Sequence, residues 1–357
     1  MSVHTIFVEP ANYTEDLINN VYKKQNIKYS FLHSTSVATN NTIIIDSAEY
    51  IFDRNNLFSN VSFLWRCINE NNLIIINGYN HLAFIFLWIF SLFVPCYVGI
   101  ESDTPYYPTK SFKRLLKTIY LKFIFSNKKI LGLPGGTGLH TQLFLHYGMN
   151  KDRIFLLPMM VDNARFKRAI KDENLLHQPL NFIFVGRLVE EKNPVLLVKA
   201  FINVLNKGLN AVLTIIGAGE CYGELVQLSA KFSNIRILGK KFGNDLLAEY
   251  QGANVLVLPS NFEPWGLVVN EAMASGLPVL CSSVVGAAHD LVEQPDSGWV
   301  FKANDEADLT EKLIQIINNP LAIIDKAKRG QDFILNYWNY NLYTERLNKI
   351  LTYAQRS

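Results

Sequence analysis

The chain has 357 residues, of which 49% are hydrophobic and 18% charged, with a formal net charge of +3. That length suits two domains with separate cores, and the composition excludes a disordered polymer. So small a charge excess gives no electrostatic footprint for nucleic acid. Four scattered cysteines (Cys67, Cys96, Cys221 and Cys281), none in a Cys-x-x-Cys pair, argue for reduced thiols in a cytosolic compartment and against a zinc site.

Glu9, Glu15 and Asp16 interrupt residues 1–30, so no secretory signal is expected there. Short apolar runs predict strands at His4–Val8, Lys28–Leu32, Thr42–Asp46, Leu73–Asn77, Cys96–Ile100, Ile130–Leu133 and Ile154–Leu157. Helical patterns fall between them, including Asn60–Asn69. The apolar run Leu82–Val94 is shorter than the roughly 17–25 residues a spanning helix needs. Pro95 ends it, so it predicts a helix buried between two strands.

Asn77 and Gly78 close one of these strands, and Glu101 and Asp103 close the next. Polar groups at the carboxyl ends of parallel strands are where open α/β sheets bind ligands, which makes these four candidates. His81, nearby, is read as capping or packing at the following helix, with ligand contact as the alternative. Gly135-Gly136-Thr137-Gly138 suits a phosphate cradle or a plain turn equally.

Thr104–Lys151 contains no acidic residue, yet carries Lys110, Lys113, Arg114, Lys117, Lys122, Lys128, Lys129 and Lys151. Apolar residues from Phe112 to Ile124 recur at i, i+3, i+4, so Lys110–Phe125 predicts a cationic amphipathic helix. Such a helix can lie on anionic lipid through Lys110, Lys113, Arg114 and Lys117, or face a core with its lysines solvated.

Polar residues crowd Ala169–Pro179. They predict domains at 1–170 and 179–334, and residues 335–357 add a final amphipathic helix. Strands are expected at Asn181–Val185, Ala211–Ile216, Ile235–Leu238, Val255–Leu258, Pro278–Cys281 and Trp299–Phe301. The alternation throughout is that of α/β domains with parallel sheets.

Four loops at the ends of these strands carry candidate chemistry. After the first, Gly186 lets a ligand approach the backbone, and Arg187 and Lys192 can reach one negative group from two sides. After the second, Gly217-Ala218-Gly219 resembles a dinucleotide turn. Its third glycine (Gly223) is one position late, however, and lysines (Lys240, Lys241) stand where an acidic residue would hold a ribose. The next loop contains Gly239. After Val255–Leu258 come Glu263 and Glu271, eight residues apart, flanking Gly266 and Leu267 at a helix start whose backbone N–H groups suit phosphate.

The segment Glu263-Pro264-Trp265-Gly266-Leu267-Val268-Val269-Asn270-Glu271, followed by Gly276-Leu277-Pro278-Val279, resembles the donor signature of retaining glycosyltransferases of family 4. Gly186-Arg187-Leu188 with Lys192 resembles their Gly-Arg-Leu-x-x-x-Lys motif. The resemblance is strong from Phe182 to Phe301 and weak before Leu73. It implies the GT-B architecture: two Rossmann-like domains whose parallel sheets face a central cleft, acceptor side first, donor side second, with the last helix returning to the first domain.

It further implies a nucleotide-sugar donor, UDP- or GDP-linked, and a glycan or lipid-linked acceptor. Configuration would be retained, and neither metal nor cofactor is needed. Arg187 and Lys192 would bind the diphosphate, and Glu271 the ribose. Glu263 would bind the sugar or stabilise charge at its anomeric carbon, with Gly186, Gly217, Gly239, Gly266 and Leu267 close to the nucleotide. Asn77, Gly78, Glu101 and Asp103 fall on the acceptor side. Where many members carry a sugar-binding histidine, this chain has Asn77 and Gly78. The setting implied is cytoplasmic, peripheral on the inner face of a cell membrane, in cell-surface polysaccharide or glycolipid synthesis. Rival readings are a phosphorylase, an NADP-dependent oxidoreductase, and a non-catalytic membrane scaffold with a degenerate donor site.

Overall fold

The computed structural model describes residues 2–35, 42–107, 112–170 and 179–355. Two compact units emerge, Met1–Asp162 with Tyr340–Ser357, and Asn163–Asn339. In chain order the first contains β1 (Val3–Phe7), α1 (Asn12–Leu17), α2 (Lys23–Gln25), β2 (Lys28–Phe31), α3 (Thr42–Asp46) and β3 (Tyr50–Ile51). There follow α4 (Leu57–Glu70), β4 (Leu73–Asn77), α5 (Leu82–Ser91), β5 (Tyr97–Ser102), α6 (Phe112–Ser126), β6 (Ile130–Pro134) and α7 (Gly138–His146). Its sheet runs β3-β2-β1-β4-β5-β6, with every neighbour parallel.

The second unit contains α8 (Asn163–Phe166), β7 (Leu180–Val185), α9 (Pro194–Asn206), β8 (Ala211–Ile216), α10 (Tyr222–Ser229), β9 (Ile235–Ile237) and α11 (Gly243–Gly252). It continues with β10 (Val255–Leu258), α12 (Leu267–Ala274), β11 (Val279–Ser282), β12 (Gly298–Phe301), α13 (Glu306–Asn318) and α14 (Leu321–Asn336). Its parallel sheet runs β12-β11-β10-β7-β8-β9. The chain then re-enters the first unit as α15 (Tyr340–Gln355), where Tyr353 meets the Tyr97 and Phe155 rings at 5.8 and 5.1 Å.

Central parallel strands are covered on both faces and so read as unbroken apolar runs. Leu73, Ile74, Ile75 and Ile76 of β4 are wholly buried, as are Val255, Leu256 and Val257 of β10. Each such side chain contributes roughly 1.5–3 kcal/mol over leaving it in water.

Three local expectations fail. Thr42–Asp46 is a helix, because the free edge of β2 is taken instead by residues 49–52, whose Glu49 and Phe52 amides bond Tyr29 O and Phe31 O at 2.9 Å. An apolar run so short does not distinguish strand from helix by its pattern. Ile154–Leu157 makes only an isolated bridge, from Ile154 to Gly132.

The third concerns Leu82–Val94. Helix α5 buries Ala83, Phe84, Leu87 and Ser91, but Leu82, Ile85, Ile89, Leu92 and Phe93 are exposed. It covers the sheet with one side only. Among the described residues no helix is long and apolar enough to cross a membrane.

Helix α6 divides likewise. Leu121, Ile124 and Phe125 are buried, while Leu115, Leu116, Ile119 and Phe123 are exposed. Lys110 and the side chains of Lys113 and Arg114 lie outside the described residues. Lys117 rests over the Tyr79 and Tyr147 rings at 5.5 and 6.0 Å, and so is engaged by the protein. Lys129 donates to Ser91 O and Val94 O at 2.8 and 2.7 Å, satisfying carbonyls at the end of α5.

Candidate functional site

In the second unit, β10, β7, β8 and β9 are neighbours, so the loops that leave their carboxyl ends lie side by side. Their glycines pack loop against loop. Gly186 N donates to Ile216 O at 3.0 Å and Gly217 N to Gly239 O at 2.8 Å, which brings these three residues to one rim. Gly217 has φ +151°, and a Cβ there would stand 1.8 Å from Gly186 O; one on Gly219 would stand 2.3 Å from Leu188 O. Contact with the preceding loop therefore accounts for both glycines of the dinucleotide-like turn.

Lys192 and Glu263 form a close ion pair, their side chains only 16% and 10% exposed. The two loops that carry them are tied by further bonds. Asn193 Nδ2 donates to Asn261 Oδ1 at 2.7 Å, and Asn261 N to Glu191 O at 2.8 Å. Arg187 points outward, with its guanidinium 3.3 Å from Glu191 in an exposed pair.

Glu263 itself forms an isolated parallel bridge with Val285, and Gly286 N donates to Glu263 O at 2.9 Å. Trp265 is buried against Trp338 with ring centroids 5.6 Å apart, and its Nε1 donates to Asn270 Oδ1 at 2.9 Å. Gly266, at φ +95°, turns the chain into α12. Leu267 is the first residue of that helix, so its backbone is at the dipole's positive end. Glu271, one turn in, accepts from Tyr250 OH at 2.8 Å. Burial, and then the carboxylate beside it, holds that phenol well above its usual pKa, so it remains a donor.

The first unit holds a cavity of about 250 Å³ at the carboxyl ends of β1, β4 and β5. Asn77, Gly78, Glu101 and Asp103 all line it. Asn77 Nδ2 donates to Glu101 Oε2 at 2.6 Å, and Gly78 N to Glu101 O at 2.8 Å. Burial raises the Glu101 carboxyl to about 7, opposed by the Asn77 bond and reinforced by Asp103. Asp103 is raised too, chiefly by burial. His81 precedes α5 without capping it through its side chain, and lines the cavity. Its pKa is lowered by burial and then by His33. The sequence did not single out Tyr13 or Tyr343, which also line the cavity. Tyr343 OH and Tyr22 OH are 3.1 Å apart, and Tyr22 OH is in turn 3.1 Å from Thr5 Oγ1.

Among the described residues no group of three or more His, Cys, Asp or Glu is gathered as for a metal ion. The second unit thus carries anchored cations, carboxylates and a helix start, and the first, taken by itself, a carboxyl-lined cavity.

Residues 166–332 match the family model described as Glycosyl transferases group 1. An uncharacterised glycosyltransferase of Methanocaldococcus jannaschii is 33% identical over 152 residues, covering 41% of this chain and 37% of that protein. The GDP-mannose-dependent monoacylated α-(1-6)-phosphatidylinositol monomannoside mannosyltransferase of Corynebacterium glutamicum is 28% identical over 211 residues, 55% of each chain. The alignments thus span between about a third and just over half of these relatives' own length. The fold is GT-B: Anabaena HepE, solved with UDP, superposes with a TM-score of 0.78 over 99% of this chain and 100% of its own, at 16% identity.

Proposed function

We propose that this protein is a glycosyltransferase that moves a sugar from a UDP- or GDP-sugar to a glycan or lipid-linked acceptor, with retention of configuration. The observation that carries the reading is the largely buried Lys192–Glu263 pair beside the start of α12, within the region that matches the family. A cation fixed next to a carboxylate suits a donor whose sugar and diphosphate need opposite partners at adjacent atoms.

In this reading Arg187 and Lys192 neutralise the departing diphosphate in place of a metal, with the backbone at Gly266 and Leu267 assisting. Fixed charges of this kind stabilise the transition state without having to reorganise. Glu263 contacts the sugar and charge developing at its anomeric carbon, while Glu271, oriented by Tyr250, holds the ribose. Gly186, Gly217 and Gly239 let the nucleotide approach the backbone. Asn77, Gly78, Glu101 and Asp103 receive the acceptor, whose hydroxyl attacks the face the diphosphate leaves. HepE was solved with UDP, and the corynebacterial relative is named for GDP-mannose and a phosphatidylinositol mannoside. These supply the first donors to test and favour a lipid-borne acceptor. The work would then be done peripherally at the cytoplasmic face of a membrane, with the basic start of α6 towards the lipid.

A thermal-shift series with UDP, GDP, ADP, their sugars and NADPH, with and without EDTA, tests the donor site. One nucleoside diphosphate should stabilise the protein regardless of EDTA, and Arg187→Ala or Glu271→Ala should abolish that shift. Stabilisation by NADPH alone would replace the reading with an oxidoreductase. No shift with any compound would leave a degenerate scaffold.

A further inference from the structure

Helices α4, α5 and α6 stand side by side and present a common apolar surface. Trp65 of α4 meets Phe90 of α5 at 5.0 Å between ring centroids, and Trp88 of α5 meets Phe123 of α6 at 4.8 Å. Around these contacts Leu82, Phe93, Ile119 and Phe123 are 66%, 75%, 60% and 57% exposed, and Ile85, Ile89, Leu92 and Leu116 are exposed as well. Single exposed apolar residues are ordinary, but a continuous field of them on one face marks an interaction surface.

Two properties select the occupant. The first is the lack of hydrogen-bonding groups. Only two side chains of Leu82–Val94 can hydrogen-bond, and both are engaged within the protein: Trp88 Nε1 donates to Ile124 O at 3.0 Å, and the buried Ser91 donates to Trp88 O at 2.7 Å and accepts from Asn127 Nδ2 at 2.8 Å. A protein partner ordinarily engages about one hydrogen bond per 100–200 Å² of interface, whereas hydrocarbon offers none. The second is charge. From Asn71 to Lys151, the stretch that carries α5 and α6, the only acidic residues are Glu101 and Asp103, and both line the cavity; α4 ends on an exposed Glu70 and carries an exposed Arg66. Lys122 and Lys128 are exposed on α6 and just beyond its end.

We propose that this three-helix face seats in the headgroup–acyl boundary of an anionic bilayer, held chiefly by the apolar side chains of α5 and α6. The proposal deepens the reading of a lipid-borne acceptor, and it shifts the contact from basic residues to an apolar ridge. The surface adjoins the cavity. His81, which lines the cavity, immediately precedes Leu82, and Tyr120 OH of α6 donates to Tyr79 O on the cavity wall at 2.9 Å. Seating the ridge would place the cavity beside the headgroups, where the sugar of a lipid-linked acceptor lies.

The test uses the full chain and sedimentation with vesicles of phosphatidylcholine alone or mixed with phosphatidylglycerol, without nucleotide, so that failure of the donor reading leaves it standing. The protein should bind the mixed vesicles and retain most of that binding in high salt. Phe93→Asp and Ile119→Asp, both on exposed sites, should each weaken it on the order of ten-fold, since a carboxylate at that depth is costly. Their circular dichroism melts should match the parent. Brominated acyl chains should quench tryptophan fluorescence in the parent and less in Trp65→Phe. Absence of vesicle binding would overturn the proposal, as would binding that salt abolishes and neither aspartate changes. A dimer in light scattering that Phe93→Asp disperses would overturn it too, by assigning the face to a second copy.

Discussion

The two units treat charge in opposite ways. In the second, each charged side chain singled out for the donor already has a protein partner: Lys192 with Glu263, Arg187 with Glu191, Glu271 with Tyr250. In the first, Glu101 takes one bond from Asn77 and otherwise faces a cavity with a carboxyl raised to about 7. A rim of paired charges is prepared for a ligand bearing both signs, because the ligand exchanges one set of partners for another. A buried carboxyl near neutrality suits an uncharged hydroxyl, to which it can donate or from which it can accept. In the proposed function, ionic and neutral recognition would thus fall on separate sheets.

The largest test of this contrast strikes the rigid side. Gly217→Ala would drive a methyl group against Gly186 O, and should destabilise the second unit by about 3 kcal/mol or more, read as a lowered denaturation midpoint. An unchanged midpoint would mean that the rim yields, and that its pairings are not preset.

The next concerns the cavity. Below about pH 4.5 Glu101 is protonated whether folded or unfolded. As pH rises towards 7 the unfolded chain releases this proton first, so the folded state loses stability through that window. Glu101→Gln should remove the loss and be more stable than the parent at pH 8, by up to roughly 3 kcal/mol, while matching it near pH 4. Parallel pH–stability curves for the two proteins would show that Glu101 ionises as freely as in water.

The smallest expected effect sharpens the comparison at one atom. Tyr250→Phe should weaken binding of the stabilising nucleotide about five- to ten-fold in calorimetry, the worth of one ordinary hydrogen bond, since the phenol orients Glu271 and does not itself touch the ligand. It should leave binding at the first unit's cavity unaltered. Equal affinity would detach Glu271 from the nucleotide.

What could be read from the sequence follows the reach of the interactions. The parallel strands announced themselves because a strand covered on both faces must be apolar throughout, as Leu73–Ile76 is. Gly186, Arg187, Lys192, Glu263 and Glu271 stood out because each lies in a short loop or helix start next to its strand. Asn193, Asn261 and Tyr250 did not, since their partners come from loops and helices joined only through the order of the sheet. Trp265 carried a faint signal, a large apolar ring set between Pro264 and Gly266 in a loop. Tyr13 and Tyr343 carried none, being 330 positions apart and united by the cavity alone. The exposed side of α5 was hidden for a related reason: an all-apolar helix looks the same in sequence whether one side or both are covered.

The return of α15 to the first unit has a consequence for synthesis. On the ribosome the sheet of the second unit is finished while the first still lacks its final helix, and Tyr343 reaches the cavity wall only after some 340 residues have emerged. A nascent chain cut short before Tyr340 would therefore carry the complete sheet of the second unit beside a first unit whose cavity lacks the wall that Tyr343 supplies.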